Sequence, residues 1–184
     1  MRIVPIAALL LLAGCARQPP PLPVLGRIPA FELTAETGRA FDSKALDGKV
    51  WVADFIFTTC TGPCPRLSSL MHNVQQSVSG MAEVRLVSFS VDPEHDTPPA
   101  LTAYAARYHA QPDRWRFLTG PREALDRLAR HEFQLSNVDG SLVHSTRFVL
   151  LDRQSRIRGY YGTSEEDPVS QIVRDIKRIL AEPS

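Results

Sequence analysis

Residues 55–70, from Phe55 to Leu70, read FIFTTCTGPCPRLSSL. A run of strand formers, Val50 to Phe57, empties into two cysteines, Cys60 and Cys64, with three residues between them. The run is apolar on both faces, as a buried central strand is. Pro65 then opens a helix, because its fixed φ suits the first turn and the amide it lacks has no partner there. Leu67, Leu70, Met71, Val74 and Val78 recur at helical spacing, and Gly80 ends the pattern. Both thiols therefore lie on a tight connection from a core strand into a helix N-terminus. There the helix dipole and free backbone N–H groups favour a thiolate over a thiol. The expectation is a pair of acidified, accessible thiols that can bind a soft metal, cycle as a disulfide, or do both.

Upstream of this stretch the chain changes character. Met1-Arg2 is a short basic start, and Ile3 to Leu12 is an apolar run too short for a dependable membrane span. Leu12-Ala13-Gly14-Cys15 follows. It resembles the bacterial lipobox, in which the cysteine becomes the acylated N-terminus of the mature protein. Residues 1–15 thus read as a lipoprotein export signal that places the domain in the periplasm or another extracytoplasmic space, anchored to a membrane through lipid on Cys15. Residues 16–26 begin ARQPPPLP, a proline-rich and semi-rigid tether. Residues 27–184 are long enough for one folded domain with its own core. With 21 basic against 20 acidic residues and no basic run, nucleic acid is not an expected partner.

Around the cysteine loop the elements follow in order. Phe31 to Phe41 reads as a hairpin turning at Glu36-Thr37-Gly38. Val84 to Val91 is a second core strand, ending in Asp92-Pro93-Glu94-His95-Asp96-Thr97-Pro98. Thr97 caps the next helix, with Pro98 in its first turn. Trp115 to Leu118 is a strand, Glu123 to His131 a short helix, and Asp139-Gly140 a hairpin signal. Thr146 to Leu151 and Ile157 to Tyr161 read as antiparallel neighbours, and Asp167-Pro168 starts the last helix. The pattern is an α/β layer fold with a mixed sheet, whose site belongs at the C-terminal end of a core strand.

Three motifs now stand in order: Phe57-Thr58-x-Cys60-x-x-x-Cys64-Pro65, then Val91-Asp92-Pro93-x-x-Asp96-Thr97, then His144-Ser145 before Leu150-x-Asp152. Together they resemble the Sco/SenC family of copper proteins. The resemblance implies a thioredoxin-like fold, with a mixed central sheet flanked by helices and an extra N-terminal β-hairpin. It implies copper, as Cu(I) or Cu(II), held by Cys60, Cys64 and His144. It also implies work on the CuA-bearing subunit of cytochrome c oxidase, with a periplasmic copper donor or thiol reductant upstream. The sequence departs from the family habit at Thr61 (usually proline), at His95 (usually basic), and at Val143 (often aspartate).

The chemistry of the residues agrees. Two thiolates and an imidazole suit a soft ion and leave a position open for a partner's ligand. A structural zinc site would want four ligands. A permanent disulfide across so short a loop would contribute little loop-closure stability. Asp92 and Asp96 stand behind the expected ligands, either orienting His144 and tuning the thiols or simply forming the turn before Pro98. Among the other histidines, His95 is the reserve ligand, His72 lies two turns along the helix, and His109 and His131 sit near helix ends. The rival activity is a thiol–disulfide oxidoreductase or a thiol peroxidase in which Cys60 and Cys64 are the catalytic dithiol. Thioredoxin-type enzymes usually separate their cysteines by two residues rather than three. They also carry a proline before a late core strand, where this chain has His144. A redox or copper sensor is a third class that the residues do not separate from delivery.

Overall fold

The structure, a computed structural model, describes residues 20–135 and 146–183. Its elements are β1 (Gly26–Arg27), β2 (Glu32–Ala35), β3 (Ala40–Asp42), β4 (Val50–Ile56), α1 (Cys64–Ser77), β5 (Val84–Ser90), α2 (Pro98–Arg107), β6 (Trp115–Thr119), α3 (Arg122–Arg127), β7 (Arg147–Leu151), β8 (Arg156–Gly162) and α4 (Pro168–Ala181). One eight-stranded mixed sheet runs in the order β1-β8-β7-β4-β5-β6-β2-β3. The parallel pairs are β4–β5 and β5–β6, and the remaining neighbours are antiparallel. The expected α/β class, mixed sheet and N-terminal hairpin are all present, the hairpin extending the sheet beyond β6.

β4 is central because every one of its side chains is buried. Its alternation sends Val50, Val52 and Ile56 to one face and Trp51, Ala53 and Phe55 to the other. The first face packs on α1 through Leu67, Met71 and Val74, on α2 through Leu101, and on α4 through Ile172, Ile176 and Ile179. The second face meets α3 and an aromatic cluster in which Phe133 lies within 5.2 to 6.0 Å of Phe55, Phe89 and Trp51. Each fully buried Leu, Ile or Met contributes on the order of 1.5–3 kcal/mol through removal from water. Truncating Met71 on the α1 face would cost ~2–5 kcal/mol.

Local signals match local structure. The Thr97 hydroxyl accepts from the Ala100 N–H at the start of α2. Asp167 does the same for Ser170 at the start of α4. The short helix expected over Glu123–His131 begins one residue earlier and widens into a π-type turn over Leu128–Glu132. The expected hairpin around Asp139-Gly140 lies outside the described residues.

Candidate metal centre

β4 ends at Ile56 and α1 begins at Cys64, so seven residues carry the chain over the top of the sheet. Proline flanks the second cysteine on both sides. Pro63 stands at the helix cap and Pro65 in the first turn, which fixes two φ angles and gives the helix its start without a side-chain cap. The Cys60 N–H donates to Phe57 O, closing a turn that folds Cys60 back toward the helix. As a result the Cys60 and Cys64 thiols lie near enough for each to affect the other's ionisation. Both are free thiols, 9% and 2% exposed, and both belong to the apolar cluster with Ile56 and Leu67.

This burial corrects the expectation of accessible thiols, and for Cys64 the expectation of an acidified one. The Cys64 thiol is pushed up to about 12, by burial first and by the neighbouring Cys60 thiol next, while the Phe57 backbone works the other way. The helix N-terminus is present, but desolvation outweighs it because a thiolate loses its hydration in an apolar pocket. Cys64 is therefore a thiol until a metal or a partner displaces its proton.

Asp96 holds the loop in place. Its carboxylate is fully buried and accepts the Thr58 N–H at 2.9 Å, the Thr58 hydroxyl at 2.6 Å and the Ser90 hydroxyl at 2.6 Å. It thus fastens the start of the cysteine loop to the end of β5. Asp92 behaves differently. Its side chain faces outward to His95 at 2.8 Å and Arg122 at 4.0 Å, and its carbonyl accepts the His95 and Asp96 N–H groups in the turn. Neither aspartate is bonded to a cysteine. His72 bonds the Tyr108 carbonyl through Nδ1 and contacts the His109 ring, far along α1 from the thiols. His144 and Cys15 lie outside the described residues.

One residue in this region escaped the sequence reading. Asp54 interrupts the apolar run of β4 on the face that carries Ile56 and the cysteines. It is completely buried, and neither carboxylate oxygen makes a hydrogen bond. Burial raises it from the usual carboxylate range to about 7, with the nearby Ser88 hydroxyl opposing the shift. Its charge is felt at both Cys64 and Tyr104. The signal was available: a carboxylate inside a strand otherwise apolar on both faces.

The donor set fits a soft cation. Two neighbouring sulfurs, buried among apolar side chains on a short loop, favour Cu(I) over hard ions. The described residues bring together no group of three or more His, Cys, Asp and Glu, so they supply two donors.

Comparison with known proteins gives the arrangement its relatives. The SCO1/SenC family model matches residues 26–181. A solved SCO1/SenC family lipoprotein from Bacillus anthracis str. Ames is 33% identical, with a TM-score of 0.76 over 85% of this chain and 97% of that one. Solved BsSco, described as a member of the Sco family of cytochrome c oxidase assembly proteins with a disulfide switch, is 30% identical. Its TM-score is 0.77, over 89% of this chain and 100% of that one. Arabidopsis thaliana ScoI, solved with copper bound, shares the fold at a TM-score of 0.70 over 83% of this chain and 99% of that one, with 24% identity.

Proposed function

This chain belongs to the SCO1/SenC family, and from that premise we propose that it carries copper as cargo in the assembly of cytochrome c oxidase, delivering it to the CuA centre or preparing that centre's thiols. The observation that carries the reading is the Cys60–Cys64 pair, two free thiols buried in one apolar cluster at the end of the central strand. His144 is the third donor in this reading. Residues 1–15 are the export signal, Cys15 carries the lipid, residues 16–26 lead into the domain with their stretch from Pro20 already laid against it, and residues 27–184 are the copper-carrying domain.

The chain's own groups define what binding requires. Copper replaces the Cys64 proton, and the Asp96 clamp on Thr58 keeps the loop from having to reorganise as it does so. Three donors leave a place for an incoming ligand, so the ion can pass to an acceptor by stepwise exchange without being released to water. A second reading has a specific observation behind it. Two free thiols four residues apart on one short loop are also placed to reduce a client disulfide, ending as a Cys60–Cys64 disulfide after two thiol–disulfide exchanges.

Anaerobic Cu(I) titration of the reduced chain against a competing chelator tests the proposal. One tightly bound copper is expected, lost in Cys60→Ser and Cys64→Ser and weakened in His144→Ala. A fully reduced wild-type chain that retains no copper shifts the assignment to the thiol–disulfide enzyme.

A further inference from the structure

The chain is bound to the domain from Pro20 onward. Arg158 is buried and donates to Leu22 O at 2.7 Å and Pro23 O at 3.2 Å. The same guanidinium holds Glu182 through two bonds of 2.8 Å and Asp152 through one of 3.0 Å. Arg178 adds a bond to Pro20 O at 2.7 Å, and the Leu25 N–H donates to Ile157 O. Leu22 packs against the core cluster on the α1 face. A buried arginine with this many acceptors is a fixed point, so residues 20–25 are part of the domain surface.

This clamp and the dithiol loop sit at opposite ends of the sheet. Leu151 pairs with Trp51, which puts the β7–β8 turn at the N-terminal end of β4. Arg153 in that turn donates to Ile179 O and Leu180 O, which puts the C-terminal end of α4 there too. The cysteine loop leaves the other end of β4. Arg66, in the first turn of α1, bonds Thr163 O just beyond β8 at that same end. Along α4 alone, the ten residue steps from Pro168 to Arg178 span about 15 Å.

Charge divides the same way. Lys49, Arg85, Arg114 and Lys177 gather at the clamp end against the exposed Asp47 and Asp113, while Glu83 and Glu182 there are paired with Arg153 and Arg158. Burial, and then the Arg85 charge close by, hold the Arg114 guanidinium below its usual value. At the dithiol end Glu165, Glu166 and Asp167 are exposed, Glu94 is paired with Arg122, and Arg66 and Arg147 are the remaining cations among the described residues.

We propose that the clamp orients the domain on the bilayer, with the C-terminal end of α4 and the basic end of the sheet toward anionic headgroups and the dithiol loop turned away from them. The proposal rests on the reading of Cys15 as the lipidated residue. Five residue steps separate Cys15 from Pro20, a reach of about 16–18 Å when fully stretched. That reach barely equals the height of the clamp above the dithiol end, so only a taut tether would let the thiols touch the lipid. The opposite orientation needs no extension and places cations against anionic lipid. A copper acceptor then meets the thiols on the side facing away from the anchoring membrane.

The test uses the full chain purified from membranes, its acyl group verified by mass, in nanodiscs of phosphatidylcholine and phosphatidylglycerol with gadolinium-chelate headgroups. Paramagnetic broadening is expected to be at least ~10-fold stronger at Ile179 and Val84 than at Leu67, given a separation of 15 Å or more along the helices. Arg158→Gln with Arg178→Gln frees residues 20–25 and flattens that gradient; Arg178→Gln alone, at a half-exposed position, reduces it. An unmodified Cys15 overturns the anchor and the orientation together. An acylated chain broadened equally at both ends overturns the orientation alone, and a gradient that survives the freed tether overturns the clamp as its cause.

Discussion

Asp54→Asn separates the cost of a buried carboxylate from everything else in the fold. The carboxyl ionises near 3.8 when unfolded and near 7 in the folded chain, because burial penalises the charged form more than the nearby Ser88 hydroxyl favours it. A raised folded value means that the unfolded state gives up its proton first. Asp54 therefore costs nothing below the unfolded value, destabilises progressively between about pH 4 and pH 7, and exerts its full penalty above that. Three pH units at ~1.4 kcal/mol each make the penalty on the order of 4 kcal/mol. Asparagine has nearly the same shape and no charge. Urea unfolding of the reduced chain, followed from pH 4 to pH 8, should show wild type losing stability relative to the variant by about that amount. Other groups titrate alike in both proteins and cancel in the difference. Stability curves that run parallel across the whole range would sink the argument, as would a Asp54 carboxyl carbon signal titrating near pH 4.

Three further outcomes follow from the same geometry. Asp96→Ala removes three short bonds at a fully buried site, so it should cost ~3–5 kcal/mol in thermal or urea unfolding and weaken Cu(I) binding ~10–100-fold through a loosened Thr58 end of the loop. Because the Cys64 thiol holds its proton up to about 12, copper must expel that proton throughout the neutral range; apparent Cu(I) affinity should rise about tenfold per pH unit from Cys64 alone, and a flat profile between pH 6 and 9 would contradict it. Tyr104→Phe strands the buried Ser68 hydroxyl that now pairs with it at 2.9 Å, which should lower stability by ~1–3 kcal/mol with copper stoichiometry unchanged.

The elements nearest the cysteines were legible because their signals are local. A seven-residue apolar run, a proline flanking Cys64 and a threonine before Pro98 each constrain a few neighbouring dihedrals, and β4, α1 and α2 begin and end close to where those residues put them. The ionisation of Cys64 was misjudged for the opposite reason. A helix dipole can be read from position in the chain, but the desolvation that outweighs it depends on Ile56, Leu67 and the rest of the cluster closing over the thiol. Asp96 likewise reads from sequence as either a support of the site or a turn former, and its bonds to Thr58 across 38 residues become visible only in three dimensions. The two residues of β1 are too few to carry a pattern, and they are placed by the tether's bonds to β8. Asp54 could have been found from the sequence by asking why a strand buried on both faces tolerates a carboxylate.

The strand order has a consequence for how the protein behaves in a crowd. An eight-stranded sheet has two rims, and each rim is a row of unspent backbone donors and acceptors that a neighbouring molecule could continue. Here the rims are β1, two residues long, and β3, three residues long. The long strands β4 and β5, which would template aggregation if they were exposed, lie in the middle with partners on both sides. The hairpin that extends the sheet past β6 therefore also ends it, closing off a growth front that a shorter sheet would have left open.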